Sequence, residues 1–575
     1  MKKAGMRNIL GIVVISVVMF AAGYVGFYFI NRNRIFNGSS LLDQVVRLID
    51  KHYVDTVDVE QLQSETIPLM LKGLDPHSAY LSKEINQAES ERLDGSFSGI
   101  GVQFNTITDT VVVVKVIPGG PSERAGIKPG DRILQADNKK LYGKGVTQDS
   151  ILKSLKGPHN SVVKLDVLRN GSNIKVNVVR DDVPVNSIDA EYKINNDILY
   201  LKLTGWGRKT HAEVLTAYAE NRNKLKGIIL DLRQNSGGYL ESAVALSSEF
   251  LPKNKLVLYA EGKSFPREDI RTERDGLLKD VPLTILVDEF SASSSEIFAG
   301  AMQDHDRARI IGRRTFGKGL VQRPYLLPDS SVIRLTVARY YTPSGRCIQK
   351  KYGKNDELGY EEDIQNRFLH GEFYSADSIQ IADTVKYFTD GGRTVYSGGG
   401  ITPDTFVPRD SVGITSYYLR LMESGVFQKF TFLYSDRNRA RLSEFKTIEE
   451  LVQHLSHQDI ARQFARYAND NGVEMRTMLF ERSQKLIFKN LCALITEYFF
   501  DREGLYRILN TNDRAVDLAV EAIKNNDTNP GKKKPIEGVT SLKRDRYESS
   551  VWNQTVSCFT PKTLMPRNKY ANQAL

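Results

Sequence analysis

Gly227-Ile228-Ile229-Leu230-Asp231-Leu232-Arg233 runs directly into Gln234-Asn235-Ser236-Gly237-Gly238, and an apolar helical spacing follows from Leu240 to Phe250. A short continuous aliphatic run reads as a strand buried on both faces; the glycines release it into a loop and a helix restarts at once. Working outward, Ile198 to Leu203 is a second such strand, a helical pattern from about Thr210 to Asn223 lies between the two, and Leu283-Thr284-Ile285-Leu286-Val287-Asp288 is a third. Strand and helix in alternation predict a parallel sheet with helices on its faces, so the centre of the chain is α/β. A glycine loop at a helix start offers N–H groups to negative charge. This one has neither a Gly-Lys-Ser/Thr ending nor a GxGxxG spacing, which argues against a nucleotide site.

The third strand leads into Glu289-Phe290-Ser291-Ala292-Ser293-Ser294-Ser295-Glu296 and then an apolar helix from Ile297 to Met302. A serine at a strand-to-helix turn is exposed at the end of the sheet, beside helix N–H groups that stabilise an oxyanion. Ser291, Ser293, Ser294 and Ser295 all qualify, and Ser followed by Glu296 is equally the signature of a helix cap. Farther on, Phe316-Gly317-Lys318-Gly319-Leu320-Val321-Gln322 sets a lysine between two glycines. Taken alone this is a solvated turn; placed in a dry pocket beside a serine, a lysine loses its proton readily enough to act as a base. None of the eight histidines sits in a Gly-x-Ser-x-Gly elbow. His305, in Asp304-His305-Asp306, reads as a helix-end surface residue, so a Ser–Lys pair fits better than a Ser-His-Asp triad.

Upstream the texture is all strand. Val111 to Val116 is a β-branched run, and Val162 to Leu168 and Ile174 to Val179 flank Arg169-Asn170-Gly171-Ser172, a hairpin turn. Between them, Ile117-Pro118-Gly119-Gly120-Pro121-Ser122-Glu123-Arg124-Ala125-Gly126-Ile127-Lys128-Pro129-Gly130-Asp131 has the order of turn, short helix, glycine and turn of a PDZ domain, which this region resembles. Ser98-Gly99-Ile100-Gly101-Val102 is similar to the loop with which PDZ domains hold a peptide carboxylate. Small residues let backbone N–H groups converge on an anion, and the adjacent strand edge accepts an extended peptide. Gly99, Ile100, Gly101 and Val102 are the candidate C-terminus-binding residues.

At 575 residues the chain exceeds what one core supports, so several domains are expected. The net charge of +10 is dispersed, without a basic stripe interleaved with aromatics, which argues against nucleic acid. Cys347, Cys492 and Cys558 lie too far apart for a metal knuckle or a disulfide framework, and no metal or cofactor is expected. Residues 9–30 are an uncharged apolar run between Lys2, Lys3, Arg7 and Arg32, Arg34, long enough to span a bilayer and longer than a signal-peptide core. The expectation is a single-pass anchor in a bacterial inner membrane, with everything after residue 35 in the periplasm. Residues 41–93 read as a short helical region interrupted by Pro68. Residues 411–526 read as an amphipathic helical extension with Met475, Met478, Leu479, Leu486, Ile487, Leu491, Leu494, Ile495 and Tyr498 on one face. Both are candidate surfaces for a homo-oligomer. The tail from 527 to 575 reads as disordered.

Across roughly residues 40–410 the sequence resembles the carboxyl-terminal processing proteases. The resemblance is carried by Gly73-Leu74-Asp75-Pro76-His77-Ser78, Phe97-Ser98-Gly99-Ile100-Gly101, the PDZ segment, Asp231 to Gly238, the serine turn, Phe316 to Gln322, Tyr340-Tyr341-Thr342-Pro343-Ser344-Gly345-Arg346 and Gly398-Gly399-Gly400-Ile401-Thr402-Pro403-Asp404. It implies an α/β multidomain protein: a Clp protease/crotonase-like catalytic core at 183–410, an inserted PDZ domain at 97–182, a helical region at 36–96 and the extension. It further implies Ser293 as nucleophile, Lys318 as base, Gln322 orienting the lysine, and an oxyanion hole from the N–H of Gly237 or Gly238 and that of Ser294. Relatives mostly carry Ala at the position of Ser294; a backbone donor survives that change. The substrates implied are proteins or peptides with free C-termini.

Overall fold

The computed structural model describes residues 40–532, apart from 109, 144, 354–356 and 382. It divides into two units, 1–74 and 75–575. In the first, Leu41–His52 opens on a capping box made by Ser40 and Asp43, and Val59–Lys72 opens on Asp58. Pro68 lies inside the second helix, so it does not interrupt the helical region there.

The second unit is built on a six-stranded sheet in the order Ile188–Ile194, Ile198–Leu203, Gly227–Asp231, Leu283–Val287, Arg309–Gly312, Thr405–Phe406. The first pair is antiparallel and the remainder parallel. Every residue of Gly227–Asp231 and Leu283–Val287 is buried, as a parallel strand covered on both faces requires. One face packs against Thr210–Asn221, Leu240–Phe250 and Ser294–Asp304 in a core that includes Trp206, Leu246, Phe250 and Phe298. The other face is covered from the end of the chain: Ala515, Val516, Ala519 and Ile523 of helix Arg514–Lys524 pack on Tyr200, Ile229, Leu286 and Ile311.

A second sheet carries the lysine segment. Its order is Ala79–Leu81, Val332–Tyr341, Leu256–Gly262, Phe265–Arg271, with Leu320–Leu326 also pairing antiparallel with Val332–Tyr341. Residues 102–179 form a separate sheet and core around Ile100, Val102, Phe104, Leu155 and Val167. Its hairpin turns at Asn170 and Gly171, both at positive φ, as a two-residue turn matched to strand twist demands.

Ser416–Glu423 to Thr477–Leu509 form a helical domain with its own core of Phe427, Phe430, Phe464, Ile487 and Leu491. Met478, expected on the apolar face, is 79% exposed. The domain grips its neighbours through ion pairs: Arg132–Asp436 and Lys115–Asp501 to the PDZ-like sheet, Arg502–Asp189 to the six-stranded sheet. Order continues beyond Asn525, where buried Asp527 pairs with buried Arg309.

Among the described residues no helix is long and apolar enough to cross a membrane. This overturns the expected placement as a single-pass inner-membrane protein with a periplasmic catalytic part; the run at 9–30 on which that expectation rested lies outside the described residues.

Candidate active site

Three loops converge at the carboxyl ends of the parallel strands, the edge at which α/β sheets bind ligands. Gln234–Gly238 follows Gly227–Asp231, the serine turn follows Leu283–Val287, and Trp206 follows Ile198–Leu203. Gln234 N–H donates to Asp288 Oδ1 (2.9 Å), Ala292 N–H to the Asn235 carbonyl (3.0 Å), and Trp206 pairs with Gly238 in a parallel bridge. A Cβ on Gly238 would lie 2.2 Å from the Trp206 carbonyl oxygen, and one on Gly237 2.8 Å from Ser293 Cβ. Only glycine permits this approach, and it brings the loop against Ser293.

The four serines of the turn separate clearly. Ser291 Oγ donates to the Leu232 carbonyl (2.8 Å) and accepts from Asp288 N–H; Ser294 Oγ donates to the Gly238 carbonyl (3.0 Å); Ser295 Oγ donates to the Asn235 carbonyl (3.0 Å) and accepts from Trp206 Nε1 (2.9 Å). All three are buried, whereas Ser293 is partly exposed. Ser293 also has φ 56° and ψ −116°, a conformation costly for a residue with a Cβ, about 1–3 kcal/mol. Strain of this kind is what lifts a side chain out of a strand-to-helix turn.

Glu296 holds that strained turn. Its buried carboxylate accepts from Ser293 N–H (2.9 Å) and Lys318 N–H (2.8 Å) on Oε2, and from Gly317 N–H (2.7 Å) and Thr315 Oγ1 (2.5 Å) on Oε1. Tyr340 makes a second link, its hydroxyl hydrogen shared between the carbonyls of Lys318 (2.7 Å) and Ser293 (3.1 Å). The backbones of the serine and the lysine thus meet on one carboxylate oxygen and on one hydroxyl. Burial raises the Glu296 pKa above its ordinary value on balance, with the four donors pulling against it; four donors and no acceptor favour the ionised form.

Lys318 Nζ donates to Gln322 Oε1 (3.0 Å), and Gln322 Nε2 donates to the His77 carbonyl (2.6 Å). Burial, and then the charge of Arg334, lower the Lys318 pKa from 10.5 to about 8, against the opposing charges of Asp75, Glu296 and Glu89. At pH 7 about one lysine in ten is then neutral, roughly three hundred times the fraction at the ordinary value.

A model of peptidase family S41 matches residues 197–365, and a PDZ-domain model matches residues 98–179. A probable CtpA-like serine protease of Staphylococcus aureus (strain COL) is 34% identical over 360 residues, covering 60% of this chain and 71% of the relative. A carboxy-terminal-processing protease of Bartonella bacilliformis is 31% identical over 388 residues, 66% of this chain and 86% of the relative. The chain belongs to peptidase family S41. It is a serine peptidase of the carboxy-terminal-processing type with a PDZ domain and a helical C-terminal region. Among solved structures, the photosystem II D1 C-terminal processing protease is 27% identical, with a TM-score of 0.31 over 56% of this chain and 86% of that one. Residues 417–501 match a family of unknown function.

Within this S41 peptidase, the predicted Ser293, Lys318, Gln322, Gly237, Gly238 and Ser294 all lie at one site. Of the expected tail-binding residues, Gly99 ends strand Ser96–Gly99, Ile100 and Gly101 link it to the next, and Val102 opens edge strand Val102–Asn105. The side chains of Ile100 and Val102 are fully buried in the PDZ core, so only their backbone is available to a ligand. Gly101 takes φ 73°, with Pro121 Cδ 3.1 Å from where a Cβ would sit. His305 ends the serine helix as expected, but its side chain is only 7% exposed, bonded to Asp390 (2.8 Å) and the Leu256 carbonyl (2.7 Å); it is not a surface residue. Sequence reasoning saw Glu296 only as a cap and gave Thr315 and Tyr340 no part. The three-residue spacing of Glu296 from Ser293 was the available signal; nothing local marks Tyr340.

Proposed function

We propose that this S41 peptidase cleaves peptide bonds with a Ser293–Lys318 dyad and selects substrates by their C-terminal tails through the PDZ domain. The observation that carries the reading is the double link through Glu296 and Tyr340, which ties the one accessible serine of the turn to a lysine whose pKa is lowered to about 8.

In this reading neutral Lys318 Nζ takes the Ser293 hydroxyl proton as Oγ attacks the scissile carbonyl carbon. The oxyanion of the tetrahedral intermediate lies between two backbone N–H groups. Ser294 supplies one, at the first position of its helix. Gly238 is favoured over Gly237 for the other, because Gly237 N–H already donates to Asn235 Oδ1 (3.0 Å). Lys318 returns its proton to the departing amine, and the next cycle of base catalysis activates a water that hydrolyses the acyl ester. The PDZ edge strand Val102–Asn105 would take the substrate tail as an added strand, with the Gly99–Val102 backbone facing its carboxylate. In the same reading the PDZ domain either delivers the bound tail or uncovers the site when the tail binds. The same reading keeps 183–410 as the catalytic domain, 97–182 as the PDZ domain and 411–526 as the extension. Self-association through the N-terminal helices, where Leu41 and Leu48 are exposed, belongs to it as well.

The test is degradation of an unfolded reporter by the purified protein, with the reporter's apolar C-terminus either free or amidated. Cleavage that requires the free carboxylate and is lost in Lys318→Ala supports both parts. Equal cleavage of both reporters removes the tail-recognition part, and an active Lys318→Ala removes the dyad.

A further inference from the structure

Gln322 cannot orient Lys318 unless its own amide is fixed, because the oxygen and nitrogen ends of a glutamine side chain are nearly isosteric. The His77 carbonyl fixes it: by accepting from Nε2 at 2.6 Å it turns Oε1 toward the lysine. The position of that carbonyl is in turn set by Asp75. One carboxylate oxygen, Oδ1, accepts from His77 N–H (2.8 Å), Ser78 N–H (2.9 Å) and Thr336 Oγ1 (3.0 Å), and Oδ2 accepts from Ser78 Oγ (2.6 Å). Thr336 is the register partner of Gln322 across the Leu320–Leu326 and Val332–Tyr341 pair, and its N–H donates to Ser78 Oγ (3.2 Å). The turn is therefore fastened to the strand directly opposite the glutamine it positions. The His77 imidazole faces away from this link, to the Tyr360 hydroxyl (2.7 Å). Burial and the charge of Lys318 hold its pKa down at about 3, so it stays neutral at neutral pH.

We infer that Asp75 is a positioning residue for proteolysis: through the turn Asp75–Ser78 it presents the His77 backbone carbonyl to Gln322, and so aims the Lys318 amine at Ser293. The inference rests on the dyad reading above. A base that is neutral has two N–H bonds and one lone pair; with one N–H committed to Gln322, fewer orientations remain for the lone pair. Displacement of a catalytic group by about 1 Å costs on the order of a hundredfold in rate.

The experiment measures kcat, KM, the pH profile and thermal unfolding for Asp75→Ala, Asp75→Asn, His77→Ala, Gln322→Ala and Asp75→Ala/Gln322→Ala. Asp75→Ala is expected to lower kcat about 10- to 100-fold with KM within about threefold, and to add nothing to the loss in Gln322→Ala. His77→Ala keeps the carbonyl and is expected to cost severalfold less than Asp75→Ala. Asn keeps an oxygen for the three Oδ1 bonds and an N–H for the Ser78 hydroxyl, so Asp75→Asn is expected to recover most of kcat on the alkaline plateau.

The charged groups facing Lys318 are Arg334, Asp75, Glu296 and Glu89, and Asp75 is among those that raise its pKa. Removing that charge moves the acid limb of the profile to lower pH in both Asp75 variants. A merely loosened fold would hydrate the lysine and move the limb the other way. Wild-type kcat in Asp75→Ala, additive losses in the double variant, or a limb that moves to higher pH would overturn the inference. If Asp75→Ala does not fold, Thr336→Val replaces it, with a severalfold loss of kcat at an unchanged limb expected and an unchanged kcat overturning the inference. An active Lys318→Ala marks failure of the dyad itself; an inactive one beside a fully active Asp75→Ala marks failure of this inference alone.

Discussion

The serine turn is held by the strand ends beside it. Most of its partners are Leu232, Asn235 and Gly238 on the neighbouring loop and its own Asp288 and Glu296; Trp206 adds one bond from the next loop, and Phe316 and Tyr340 add one each from the lysine side. The lysine segment has the opposite construction. Gly319 N–H donates to Gln349 Oε1, Lys350 N–H to the Gly317 carbonyl, and Gln322 reaches His77 across a sequence separation of 245 residues. One half of the site is thus specified by an elementary strand-loop-helix unit, and the other by a sheet assembled from distant parts of the chain. Ser293, the proposed nucleophile, should accordingly tolerate loosening of remote elements, whereas the readiness of Lys318, the proposed base, should register them.

The largest effect expected from this contrast is at the serine turn. Ser293→Ala should abolish cleavage, on the order of 10⁴-fold or more, with unfolding temperature unchanged. Ser295→Ala should do the reverse. It leaves the Trp206 indole N–H without its buried partner and takes one of two donors from the Asn235 carbonyl, which keeps Ala292 N–H, costing about 1–3 kcal/mol in denaturant unfolding while the chemistry persists. Chemistry lost in Ser295→Ala at full stability would break the comparison.

Glu296→Gln acts on both halves together. An amide nitrogen then faces backbone N–H donors, so about 1–3 kcal/mol of stability should be lost, together with much of kcat. Stability lost without activity would mean that the link is only structural.

A smaller effect belongs to the base alone. Arg334 lowers the Lys318 pKa, and Glu89, which pairs with Arg334, raises it. Arg334→Met should move the acid limb of kcat/KM to higher pH and reduce activity at pH 7, with the alkaline plateau retained. The smallest effect is at the helical domain's contact with the PDZ domain, where Lys115–Asp501 is a partly exposed ion pair. Asp501→Asn should change stability by about 0–1 kcal/mol, read by denaturant unfolding.

The same contrast explains what the sequence revealed. Strands Ile198–Leu203 and Gly227–Asp231 and helix Leu240–Phe250 are local apolar patterns, and all three were legible. So were the PDZ hairpin and the convergence of Ser293 with Lys318, the latter through the family resemblance rather than through spacing. Ala79–Leu81 was invisible because three residues make a strand only by pairing with Val332–Tyr341. Helix Arg514–Lys524 read as amphipathic, but nothing in it says that its apolar face closes the back of the catalytic sheet. The linking role of Glu296 and any role for Tyr340 were missed for the same reason: apart from the Thr315 hydroxyl on Glu296, their partners are backbone atoms, which carry no residue-type signature.

The central claim, that Lys318 makes Ser293 the nucleophile, is tested most directly by the rate of acylation with a phosphonate probe across pH 6–10, the modified residue being located by peptide mass spectrometry. The account predicts a single adduct on Ser293, forming at a rate that rises through about pH 8 and collapses in Lys318→Ala. An adduct on Ser291 or Ser295, or a Ser293 rate indifferent to pH and to Lys318, would contradict it.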